Sequence, residues 1–166
     1  LFQFNQSTQQ AAYFFGNVIL NGDPLDPEDW VGAFNGDICV GARKWDISQC
    51  NGVCELIIMG QDGNEYSDGY CTMGDIPTFK IYDASENIYV DAYPSEDIPW
   101  SPNTYPWIDG LADELPAVSG CTDENACNYN PIATENDNSC EYIVDCAGDC
   151  GGDAVEDNCE TCDNDP

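Results

Sequence analysis

The chain has 166 residues, with 32 Asp and Glu against three Lys and Arg, no histidine and a formal charge of −29. A surface of that sign repels phosphate, which excludes nucleic acid as a partner and disfavours anionic membranes, and the lack of histidine removes Ser-His and Cys-His catalysis. So much self-repulsion opposes a compact state unless cations offset it, which makes calcium the expected cofactor.

Residues 1–118 hold all four Trp, all six Phe and all three basic residues, enough material for a true core. In the opening stretch LFQFNQSTQQ, Phe2 and Phe4 alternate with polar residues. That pattern predicts an edge strand of this domain or a strand that pairs with a neighbouring molecule. Asn5-Gln6-Ser7 is a glycosylation sequon. Apolar runs of strand length then follow at 11–20, 30–34, 37–42, 54–60, 77–83 and 87–93. The turn pairs Asn21-Gly22, Asn35-Gly36, Asn51-Gly52, Asp62-Gly63 and Asp68-Gly69 punctuate the chain, and Asn35-Gly36 is predicted to close a two-residue hairpin. No segment keeps a helical period, so the fold class is all-β, a β-sandwich-like domain. The run at 11–20 is too short and interrupted to insert into a membrane.

Within this domain the acid cluster DPLDPED (23–29) reads as an ion site or, given Pro24 and Pro27, a stiff connection. Arg43, Lys44 and Lys80 are expected to pair with nearby acids, although Arg43-Lys44 would also suit an acidic patch on a neighbouring subunit. Cys50 and Cys54 bracket Asn51-Gly52 and predict a small closed loop, which leaves Cys39 and Cys71 to cross-link two strands. In DGNEYSDG (62–69), Asp62, Asn64, the Tyr66 carbonyl and Asp68 fall at alternating positions, as in acidic calcium loops, without the closing Glu of an EF-hand. A polar hairpin loop is the alternative. In PWSPNTYPW (99–107), Trp100, Tyr105 and Trp107 read either as an aromatic platform for sugar rings or as a cap on the core.

Composition breaks near ELPAVSG (114–120): beyond Gly120 lie 13 acids, seven of the 11 cysteines and no base. Such a segment cannot bury enough apolar area to fold unaided. Residues 119–142 and 143–166 read as two small, largely irregular Cys-rich acidic repeats. Cys159-x-x-Cys162 admits zinc, but no histidine or second such pair supports it. Disulfides through Cys121, Cys127, Cys140, Cys146, Cys150, Cys159 and Cys162 are expected, in an oxidising, extracellular or cell-surface setting. Their pairing is open. The odd count leaves one thiol unmatched, and the sequence stops inside a cysteine pattern. It opens on Leu1, as expected of a processed secreted chain or a fragment. Asp137 and the four-residue series Asp145, Asp149, Asp153 and Asp157 are candidate calcium ligands. Gly148, Gly151 and Gly152 argue for a turning loop that gathers carboxylates rather than for a helix. A solvated acidic linker is the competing reading.

Two stretches, DWVGAFNGDICVGARKWD (29–46) and GDIPTFKIYDASENIY (74–89), resemble a β-rich module of large secreted proteins from aquatic bacteria. The resemblance covers most of residues 10–112 and implies no catalytic residue. GCTDENACNYNPIATENDNSCEY (120–142) is similar to short Cys-rich repeats of secreted and surface-displayed proteins, with Asn138 where those repeats carry glycine. DCAGDCGGDAVEDNCETCDNDP (145–166) resembles the start of a second repeat. Such repeats imply a spacer or stalk. The resulting expectation is a non-enzymatic extracellular structural or adhesive protein that self-associates into a filament, stalk or adhesin with calcium. The alternative is a carbohydrate-binding module with a glycan partner. A paired-carboxylate glycosidase stays open in principle, but so many acids make any one pair uninformative.

Overall fold

A computed structural model describes residues 1–115, 117–156 and 162–163; Asp157 and Cys159 lie outside the described residues. The chain divides into two compact units, Leu1–Pro116 and Ala117–Pro166, just ahead of the expected break at 118/119. The fold is all-β.

In the first unit the strands are β1 (Gln9–Phe15), β2 (Val18–Leu20), β3 (Asp23–Pro24), β4 (Trp30–Asn35), β5 (Ile38–Lys44), β6 (Cys54–Gly60), β7 (Thr78–Asp83), β8 (Ile88–Pro94), β9 (Trp107–Ile108) and β10 (Leu111–Ala112). They form a three-stranded sheet, β6-β1-β9, and a seven-stranded sheet, β3-β2-β10-β8-β7-β4-β5. The apolar run at 11–20 is not one strand: it breaks after Phe15, and its two halves join different sheets. β9 and β10 make the same change of sheet alongside it, pairing in parallel with β1 and β2.

Alternation along the strands sets the core. Val31 and Ala33 of β4, Phe79 and Ile81 of β7, and Leu56 and Ile58 of β6 are buried. Tyr13 and Phe15 of β1 meet Phe79 from the facing sheet, at ring-centroid distances of 6.5 and 5.4 Å. This is the expected sandwich core, with sheets packed through their inner faces.

Turn chemistry follows the sequence with one displacement. Asn21 and Gly22 both take positive φ, 55° and 86°, and close the β2–β3 hairpin. The β4–β5 turn falls on Gly36-Asp37 instead of Asn35-Gly36, because Asn35 pairs with Ile38 inside the ladder. Its side-chain amide is committed to the Gly69 carbonyl at 3.0 Å, which holds Asn35 in the strand. The opening residues 1–7 form no strand; β1 begins only at Gln9.

The second unit contains β11 (Ser119–Gly120) parallel to β12 (Glu135–Asn136), and β13 (Val155–Glu156) antiparallel to β14 (Cys162–Asp163). Among its described residues the apolar side chains that are buried are Cys121 and Ala126. Disulfides take the place of a core: Cys121–Cys140, Cys127–Cys150 and Cys146–Cys162. Each loop overlaps the next, so Cys127–Cys150 ties together the segments expected to be separate repeats. Asn138 adopts φ 64°, the backbone conformation a glycine would provide, and the turn is kept.

Candidate functional site

The candidate calcium loop at 62–69 is built around one carboxylate. Asp62 Oδ1 accepts from the Asn64 backbone N–H at 3.2 Å, the Asn64 side-chain amide at 2.9 Å and the Ser67 hydroxyl at 2.9 Å. Its Oδ2 accepts from the Thr8 N–H at 3.1 Å, the Thr8 hydroxyl at 3.3 Å and the Tyr66 hydroxyl at 3.1 Å. The Thr8 N–H, then the donors of Asn64 and Ser67, hold its carboxyl far below the usual carboxylate range. Asp62 thus fastens a short 3-10 turn, Glu65–Ser67, to the start of β1. Asp68 is exposed and takes no part in this knot, its carboxylate accepting from the Gln61 side-chain amide at 3.4 Å.

A depressed folded-state pKa contributes stability that is complete above the unfolded value, about pH 4, and is lost as pH falls through the folded value. Asp62→Asn is therefore expected to lower the melting temperature at neutral pH and to flatten the acid side of the stability profile. Thermal melts of both proteins between pH about 7 and about 3 test this. Parallel curves would contradict it.

Asp137 and Asp145 of the second unit serve the same architectural purpose. Asp145 Oδ1 accepts from the Asp149 N–H at 2.8 Å and its Oδ2 from the Ala154 N–H at 3.2 Å, which lowers its pKa, the Asp149 N–H contributing most. Asp137 caps the Ser139 N–H at 2.9 Å. Asp149 and Asp153 are exposed. Among the described residues no three acids or cysteines converge on a point that would hold a metal ion. The four-residue series is a set of turn-forming and solvated carboxylates over its described members.

One expectation about specific side chains is corrected, and one open choice is decided. Cys50–Cys54 forms as expected, but Cys39 and Cys71 are both free thiols. Cys39 pairs with Phe34 on the outer face of the large sheet, after a bulge between Ala33 and Phe34, whereas Cys71 lies within the buried core. Burial raises both thiols, Cys71 to about 12 with Asp75 adding to the effect, so neither is a ready nucleophile. Of the two readings open for PWSPNTYPW, Trp100 follows the core-cap one, being only 3% exposed. Its indole N–H donates to the Ile58 carbonyl at 3.1 Å, and its ring occupies the space a side chain at Gly60 would need. Tyr105 and Trp107 do remain at the surface, 76% and 49% exposed.

Compared with family models, with curated proteins and with solved structures, the chain matches none.

A feature absent from the sequence reading is an aromatic outer face on the large sheet. Trp30, Phe34, Tyr82 and Tyr89 point away from the core, with Tyr82 and Tyr89 at 4.9 Å between centroids. Phe2 packs edge-on against Phe34 and Tyr89 at 5.9 and 5.3 Å. The signal was present as a period of two in WVGAF and FKIYD, which places Trp30 and Phe34 opposite Val31 and Ala33. The bases are spent nearby: Arg43 pairs with Glu55 on β6, Lys44 with Glu28, and Lys80 with Asp91 on β8. Four disulfides mark an oxidising environment. No helix among the described residues is long and apolar enough to cross a membrane.

Proposed function

We propose that this is an extracellular or cell-surface structural protein without enzymatic activity, acting as a subunit or module of a filament, stalk or adhesin. The observation that carries this reading is the second unit, a segment with almost no core whose order rests on three overlapping disulfides. Such a unit suits a spacer that must keep its shape outside the cell better than it suits a binding or catalytic site. The first unit supports the same reading, since its acids fasten turns and all three bases are paired internally.

Self-association of a chain at −29 needs its repulsion offset. Calcium shared between the acidic surfaces of adjacent copies would do so without a dedicated multi-ligand loop. Electron microscopy of non-reduced native material, in calcium and again after chelation with EGTA, tests both points. Fibres that disperse on chelation are expected. Separate particles in both conditions would overturn the filament reading, and fibres indifferent to EGTA would overturn the calcium link.

The exposure of Tyr105 and Trp107 favours one second reading, a carbohydrate-binding module. Under it, Tyr105→Ala and Trp107→Ala would abolish binding on a glycan panel while leaving the fold intact. The structural reading expects no glycan signal from the parent protein.

A further inference from the structure

The Asn-Gly pairs at 21–22, 35–36 and 51–52 share one chemical weakness. The glycine's backbone nitrogen can attack the asparagine's side-chain carbonyl carbon, since no Cβ hinders its approach. The reaction needs two freedoms at once. The side-chain amide must be able to turn towards the nitrogen, and the glycine N–H must not already be held by an acceptor.

The fold grants these freedoms unequally. Asn35 lacks the first: its side-chain amide donates to the Gly69 carbonyl at 3.0 Å and to the Asp75 carboxylate at 3.4 Å, and the residue is paired with Ile38 in the β4–β5 ladder. Asn51 lacks the second. The Gly52 N–H donates to the Ile47 carbonyl at 3.0 Å, in a loop closed by the Cys50–Cys54 bridge. Asn21 has both. Asn21 and Gly22 are exposed, and among the described residues neither the Asn21 side chain nor the Gly22 N–H has a hydrogen-bond partner. The pair is held through the Asn21 N–H, which donates to both oxygens of the Asp113 carboxylate at 3.1 Å. Beyond it β3 is only two exposed residues at the rim of the large sheet. Such a segment opens locally at little cost, and opening lets the turn leave its positive φ values of 55° and 86° for a geometry of attack.

We propose that Asn21 is a site of spontaneous covalent modification, deamidation through a cyclic imide formed with Gly22. The Gly22 nitrogen gives its proton to water and bonds to Asn21 Cγ. The Cγ–Nδ2 bond breaks, and the side-chain nitrogen leaves as ammonia with a proton from water. Water then opens the imide. Cleavage at Cγ gives aspartate, and cleavage at the backbone carbonyl gives isoaspartate, with the chain now running through Cγ. Nothing is oxidised or reduced. Either product places a new carboxylate beside Asp113 in a chain already at −29, and isoaspartate also lengthens the two-residue connection of the β2–β3 hairpin. The inference stands apart from the filament reading.

Incubation of the full, oxidised chain in heavy-oxygen water at neutral pH tests it. After digestion in mildly acidic ordinary water, mass spectrometry follows the three Asn-Gly peptides separately. Labelled aspartate and isoaspartate are expected at 21 at least tenfold faster than at 35 or 51, and hydroxylamine added during incubation should cut the chain between 21 and 22. In the reduced, denatured chain the three rates should draw together. Conversion in the folded chain that is as fast at 35 or 51 would overturn the proposal. So would an Asn21 that reacts only when denatured. Aspartate without isoaspartate, and no cut by hydroxylamine, would overturn the attack by Gly22.

Discussion

Trp100→Ala is expected to destabilise the first unit by about 3–5 kcal/mol, the range for removing a large aromatic from a packed core. At roughly 4 °C per kcal/mol for a unit of this size, the melting temperature should fall on the order of 15 °C. The loss has identifiable parts. The indole fills the space over Gly60 and its N–H satisfies the Ile58 carbonyl. The backbone bonds that tie residue 100 to the loop after Cys71, from the Gly74 N–H at 2.9 Å and to the Asp75 carbonyl at 2.7 Å, are ones an alanine can keep, so the loss is that of the ring. Trp107→Ala is the control: its ring is half exposed and its N–H meets only Asp109 at 2.8 Å, so its cost should stay below about 1 kcal/mol. Thermal and denaturant melts of the two variants decide. Equal effects would mean that Trp100 is not part of the core.

Reduction of the disulfides is expected to unfold the second unit while leaving the first standing. The three bridges of the second unit close separations of 19, 23 and 16 residues, each worth about 3 kcal/mol in the loop-entropy account. The two apolar side chains buried among its described residues cannot replace that. The first unit carries only Cys50–Cys54, across a separation of four, beside a continuous core of both sheets. Hydrogen exchange read by mass spectrometry, with and without reductant, should show amides from 117 to 156 losing protection while β1, β4, β6 and β7 keep theirs. Protection of the second unit after reduction would show that it folds by other means. The double variant Cys121→Ser with Cys140→Ser should produce a milder form of the same loss.

Strand positions, the sandwich and the Cys50–Cys54 loop were legible because each depends on neighbours in sequence: alternation, strand-length runs and residues that accept positive φ. Features decided by distant partners were not. Asn35 gives up its turn position to a carbonyl on Gly69. The bulge at Ala33/Phe34 sends Cys39 to the outer face, away from Cys71. Trp100 and Trp107 share a proline-rich stretch, and only the register beside β1, where Ala12 and Phe14 donate to Thr104 and Pro106, sets one inward and the other outward. Carboxylates were the hardest to read. The sequence marks where the acids are, and only the fold shows the N–H and O–H donors gathered around the oxygens of Asp62 and Asp145.

The overlap of the disulfide loops has a mechanical consequence. When the second unit is pulled from its ends, tension need not run along the backbone from Cys121 to Cys162. It crosses Cys121–Cys140, follows the chain from 140 to 146, and crosses Cys146–Cys162. Extension is then limited to that six-residue link and two bridges with Cα separations of 4.8 and 5.7 Å, about 30 Å in all, against about 140 Å for the same chain without cross-links. Stretching beyond that limit requires breaking a covalent bond, so the unit behaves as a short cord of fixed length while its disulfides stay oxidised.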